Sequence, residues 1–138
     1  MLAVKIFSLG ILLLLFFAVY RAARRQKTHP RMRAAQKFIT SFMDAVQDLS
    51  QGNGDAYELL KGAFPRHEKA YLEFRSRINW LFRKGFDEAW KDYCCSSNGN
   101  RTPFRDQYFA GGNETIAAKK RQLALQKIRR ILSFAKNK

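Results

Sequence analysis

Acidic side chains are scarce in this 138-residue chain: 11 Asp and Glu stand against 26 Lys and Arg, for a net charge of +15. Cysteine is scarcer still. The two present, Cys94 and Cys95, are adjacent, which excludes the spaced pairs of a disulfide framework or a zinc ribbon. They read as free thiols closing a helix. Of the two histidines, neither His29 nor His67 has a second ligand at metal-binding spacing, and His67-Glu68 lacks the second His of a zinc-protease helix. Both read as surface histidines near helix starts. The eight glycines form no phosphate-cradling loop and no nucleophile elbow. Gly52-Asn53-Gly54 and Gly111-Gly112 read as punctuation between elements. With no repeat, no low-complexity tract and no convincing strand, the pattern points to a non-enzymatic all-α chain without a cofactor.

Apolar residues make up 46% of the chain and aromatics 14%, enough to build one modest core and too much for a disordered chain. Charge is placed unevenly. Arg21 to Lys37 holds seven bases and no acid, and from Asn113 to Lys138 eight bases face Glu114 alone. The stretch between them is nearly neutral. Basic poles of this kind favour anionic lipid head groups, nucleic acid or an acidic protein.

Ile6 to Tyr20 contains no charged residue, and Leu2 to Val4 extend the apolar run past Lys5, whose long stem can reach the interface. As a helix, Leu2 to Tyr20 would span about 28 Å, just enough for a bilayer core. The bases that follow, Arg21, Arg24, Arg25, Lys27, Arg31 and Arg33, act as a stop, whereas a cleaved signal calls for a small-residue cleavage site there. The expectation is a single transmembrane anchor at 1–22, a basic juxtamembrane linker at 23–30 and a basic helical bundle at 31–138. The positive-inside rule puts the bundle on the cytoplasmic side.

Within the bundle, Met32, Ala35, Phe38, Ile39, Phe42, Met43, Val46 and Leu49 recur at helical spacing, and Gly52 to Gly54 end that helix. Asp55 with Glu58 resembles a capping box for a short helix over Ala56 to Ala63. Pro65 is expected to start a longer helix to about Cys94, whose stripe runs through Ala70, Phe74, Ile78, Leu81, Phe82, Phe86, Ala89 and Tyr93, with Gly85 as a candidate break. Ser96 to Gly112 is irregular apart from a helical turn after Thr102-Pro103. Asn113 then caps a final helix to about Ala135, with Ala117, Ala124, Leu125, Ile128, Ile131, Leu132 and Ala135 facing inward. The fold expected is a small bundle of three main helices plus short ones.

Candidate contact residues follow from surface chemistry. Lys119, Lys120, Lys127 and Arg130 fall on the outer side of the last helix, facing anionic lipid or solvent. Trp80 and Trp90 project off the main stripe and read first as filling a second packing face, with an exposed anchor for a protein partner as the alternative. Phe104, Tyr108 and Phe109, on a loop, are candidate partner anchors with the same two readings. Asp87, Glu88 and Asp92 read as solvated partners of Lys84 and Lys91. The function expected is a membrane-tethered interaction or adapter module at the inner membrane face. The alternatives are a membrane-localised nucleic-acid or ribosome binder, for which the basic helix lacks interleaved aromatics, and a helical domain exported after signal cleavage.

Overall fold

A computed structural model describes residues 30–52, 54–94 and 105–136. The apolar run from Leu2 to Tyr20, the linker bases Arg21, Arg24, Arg25 and Lys27, and Phe104 lie outside the described residues. By its contacts the chain divides into Met1–Arg33 and Ala34–Lys138, and the core described below belongs to the second unit.

Helix α1 covers residues 30–51. Phe38, Phe42, Ala45 and Leu49 are buried at spacings of four, three and four, the period that keeps them on one face. Met32 and Met43, expected on that face, are exposed instead, because only one side of α1 is covered. Gly52 and Gly54 end the helix with φ of 73° and 76°, a left-handed backbone that favours glycine.

Helix α2 (Ala56–Arg75) starts at Asp55, whose carboxylate accepts from the Tyr57 and Glu58 backbone N–H groups at 2.8 and 3.4 Å. The cap lies where the sequence puts it. The helix does not stop at Ala63, however, and Pro65 lies inside it rather than at the start of another. Proline there removes one donor, to the Lys61 carbonyl. Both residues are exposed, so the orphaned carbonyl lies on the solvent side, and the burial of Leu60, Ala70 and Phe74 on either side of Pro65 holds the helix.

The break expected at Gly85 falls at Ser76–Asn79. Arg77 and Ile78 donate to the Phe74 carbonyl at 2.9 and 3.0 Å, and the Asn79 side chain accepts from the Leu81 N–H at 3.1 Å, opening helix α3 (Trp80–Cys94). A new helix resets the phase. Phe86, Ala89, Trp90, Tyr93 and Cys94 turn inward, while Leu81 and Phe82 leave the stripe expected of them. Gly85 continues inside α3, where an added Cβ would sit 3.4 Å from the Phe134 ring.

After the single turn α4 (Arg105–Tyr108), Gly111 and Gly112 take positive φ, and the Asn113 side chain accepts from the Ile116 N–H at 3.1 Å to open α5 (Glu114–Lys136). Ala117, Ala124, Ile128, Ile131 and Leu132 are buried, as their spacing requires.

The long helices alternate in direction. Lys37 meets Glu73 and Asp44 meets Arg66 across α1 and α2; Arg75 meets Asp87 while Phe64 stacks on Trp90 across α2 and α3; Phe86 meets Phe134 while Asp92 meets Lys127 across α3 and α5. The result is an up-down-up-down bundle. One end gathers the entry of α1 into the compact unit, the end of α2, the start of α3 and the end of α5. At the other end, Arg121 of α5 donates to the Gly54 carbonyl at 3.2 Å. The core is aromatic: Phe38 packs against Phe42, Phe74 and Phe86 with centroids 4.9–5.5 Å apart, each pair contributing about 0.5–1.5 kcal/mol beyond area burial.

Candidate membrane and partner surfaces

The polar groups that most resemble chemistry are parts of the scaffold. His67, expected at the surface, is fully buried in α2 and stacks on Phe42 at 3.9 Å. Its Nδ1 shares a 2.7 Å hydrogen bond with the Tyr93 hydroxyl, the donor depending on the tautomer. Nε2 has no hydrogen bond of good geometry. Burial, and then the charge of Arg66, push the His67 pKa down to about 4 against the opposing pull of the Ser41 backbone and Asp44. The local sequence, Arg66-His67-Glu68, gives no sign of this, since the burying rings come from α1 and α3.

The main partner of Asp87 is Arg75 rather than the expected Lys84 or Lys91, although Lys91 adds a minor attraction. Asp87 receives a two-pronged contact from Arg75, Nε to Oδ1 at 2.7 Å and Nη2 to Oδ2 at 2.8 Å, and a third hydrogen bond from the Tyr71 hydroxyl at 2.7 Å. Arg75 holds the Asp87 carboxyl below its usual range. Partial burial and the bond to Asp87 push the Tyr71 phenol up to about 12. The group ties α2 to α3. Among the described residues, no group of three or more His, Cys, Asp or Glu is placed to hold a metal ion.

On α5, Lys119 is exposed and Lys120 half-exposed, on the outer side where the period puts them, and Arg129 is exposed as well. Lys127 departs from expectation. Its ammonium donates to the Asp92 backbone carbonyl at 2.8 Å, to Asp92 Oδ1 at 3.0 Å and to Gln107 Oε1 at 2.7 Å, clamping α3 and α4 to α5. Arg130 adds a 3.2 Å contact to the other Asp92 oxygen. An open cleft of about 630 Å³ lies between the end of α1 and α5, lined in part by Leu49, Gly52, Arg121, Leu125 and Arg129.

The aromatic candidates separate sharply. Trp90 is 7% exposed, packed between Phe64 and Tyr71. Tyr108 is buried, and its hydroxyl donates to the Tyr93 carbonyl at 2.9 Å. Both belong to the core. Phe109 is half-exposed beside Tyr57, and Trp80 stands 75% exposed at the corner between α2 and α3. Beside it are Leu81 at 62% and Phe82 at 50%, which the sequence pattern had assigned to the core. Arg31 and Arg33 lie near the start of α1, half-exposed and exposed.

Comparison with protein-family models, curated proteins and solved structures finds no match to this chain.

Proposed function

We propose that the chain is a non-enzymatic interaction module tethered to the inner face of a membrane. The observation that carries this reading is the uncharged run Ile6–Tyr20 followed at once by Arg21, Arg24, Arg25 and Lys27, the arrangement of an apolar span with a cytoplasmic stop. Among the described residues no helix is long and apolar enough to cross a membrane, so this reading assigns the crossing to Leu2–Tyr20. The bundle would then present its basic and apolar surfaces to anionic lipid and to a protein partner. The nucleic-acid alternative has less behind it, because the basic helix lacks interleaved aromatics for stacking and Lys127 is drawn into contacts with Asp92 and Gln107.

The test is fractionation with a topology assay. Full-length protein is expected to stay in the membrane pellet through carbonate extraction, and external protease is expected to spare the bundle in intact cells. A shortened species lacking the first 20 or so residues, free in the periplasm or medium, would sink the tether. Digestion of the bundle while a cytosolic marker survives would reverse its orientation.

A further inference from the structure

We infer that the α2–α3 corner is a second membrane contact, in which Trp80, Leu81 and Phe82 enter the interface of an anionic bilayer while Arg77, Arg83 and Lys84 meet lipid phosphates. This deepens the tether reading and rests on it for the bundle's proximity to the bilayer.

Three consecutive large apolar side chains at 75%, 62% and 50% exposure are an unusual feature for a capped helix start. Burial could have hidden them, since the phase of α3 is set by the Asn79 cap and Phe86 two turns later is fully buried. The cap instead turns them outward. From Arg75 to Lys84 the chain carries four bases and no acid. Among the described residues, of these only Arg75 is paired with an acid, Asp87, and Arg83 Nε is shielded from solvent with no hydrogen-bond partner. Trp, Leu and Phe flanked by Arg and Lys form the composition of an interfacial anchor: the rings and Leu enter the head-group and upper acyl region, and the cations remain at phosphate level.

The position of the corner selects a bilayer over a protein partner. Phe38 stacks on Phe74 and Lys37 pairs with Glu73, so the chain enters the compact unit at Ala34 on the same end of the bundle as the corner. Thirteen residues separate Tyr20 from Ala34, and the last four of them belong to α1; with 21–29 fully extended they reach at most about 40 Å, so a membrane holding Tyr20 stays within reach of the corner. A tether this short gives an effective concentration in the millimolar range. A contact too weak to hold the bundle alone would then be occupied.

The two tryptophans report the contact directly, because Trp80 is exposed and Trp90 is in the core. Full-length protein is reconstituted into phosphatidylcholine–phosphatidylglycerol vesicles, with the phosphatidylcholine acyl chains brominated or not. Brominated lipid is expected to quench a large part of the emission of the parent and of Trp90→Phe, and little of that of Trp80→Phe. Leu81→Ser with Phe82→Ser, both at exposed positions, is expected to keep helicity and lose most of the Trp80 quenching. Carbonate extraction of the same samples separates this inference from the tether. Extraction-resistant protein whose Trp80 is unquenched overturns the corner contact and leaves the tether standing. Extractable protein whose Trp80 is quenched keeps the corner and removes the tether, and extractable protein without quenching removes both. An unquenched Trp80 whose emission is nonetheless blue-shifted would assign the corner to a protein partner or a second copy, and overturns the inference as well.

Discussion

His67 shows how far one side chain's environment departs from its neighbours in sequence. Packed against Phe42 and bonded to Tyr93, it stays neutral, with its pKa pushed down to about 4. The unfolded chain takes up the proton near pH 6.5. Between those values the unfolded state binds more protons than the folded one. The stability due to neutral His67 is therefore complete above about pH 6.5 and is lost as pH falls toward 4, by about 3 kcal/mol over the window. Urea midpoints measured from pH 7 to pH 4.5 are expected to fall steadily, before most carboxylates protonate. His67→Phe should flatten that slope. An unchanged slope in a folded variant would mean that His67 is not the group that titrates.

At the scale of the element, Gly62 offers a clean test of what holds α2 together. It lies mid-helix and exposed, with nothing within 4 Å of an added Cβ, so Gly62→Ala is expected to raise stability by about 0.5–1 kcal/mol through reduced backbone entropy alone. A lower melting temperature would mean that the glycine relieves a strain near Pro65. Much of the element structure is legible in the sequence because local chemistry decides it: the caps at Asp55 and Asn113, the glycines after α1, the buried period of α5. Two features are not. Pro65 looks like a helix start, and it is tolerated because the Lys61 carbonyl it leaves without a donor belongs to an exposed residue while the buried Leu60, Ala70 and Phe74 hold the helix on either side. Asn79 looks like one polar residue in a continuing stripe, and only its bond to the Leu81 N–H reveals a new helix. That misreading placed Leu81 and Phe82 in the core and hid the corner. The candidate surface was legible to the same degree: Lys119 and Lys120 lie outward by period alone, whereas Lys127 is drawn in by Asp92 and Gln107, residues remote in sequence.

The bundle as a whole sets two basic features against each other, the corner at one end and the outer side of α5 along its length. At about 1.5 Å per residue, Lys119 and Lys120 lie about 25 Å up the helix from Lys136, several times the Debye length of about 8 Å at physiological salt. A bundle standing on its corner therefore leaves those two lysines beyond the field of the bilayer and open to a protein partner. A bundle lying on α5 brings them to the surface and lifts the corner away. Vesicle binding distinguishes the two postures. Among the described residues the buried core runs from Phe38 to Leu132, so a fragment of residues 34–138 is expected to fold cooperatively and to bind anionic vesicles without the apolar run. Each Lys or Arg at the surface is worth about 1 kcal/mol at physiological salt. Arg77→Gln, Arg83→Gln and Lys84→Gln together should then weaken binding by about 100-fold, and Lys119→Gln with Lys120→Gln should leave it nearly unchanged. Lys127 is kept out of the comparison, because breaking its three hydrogen bonds would cost about 1–3 kcal/mol of stability and confound the readout. Should the Lys119 and Lys120 pair carry a loss of about 30-fold while the corner variant binds like the parent, the bundle lies on α5, and the outer face of that helix is the lipid contact.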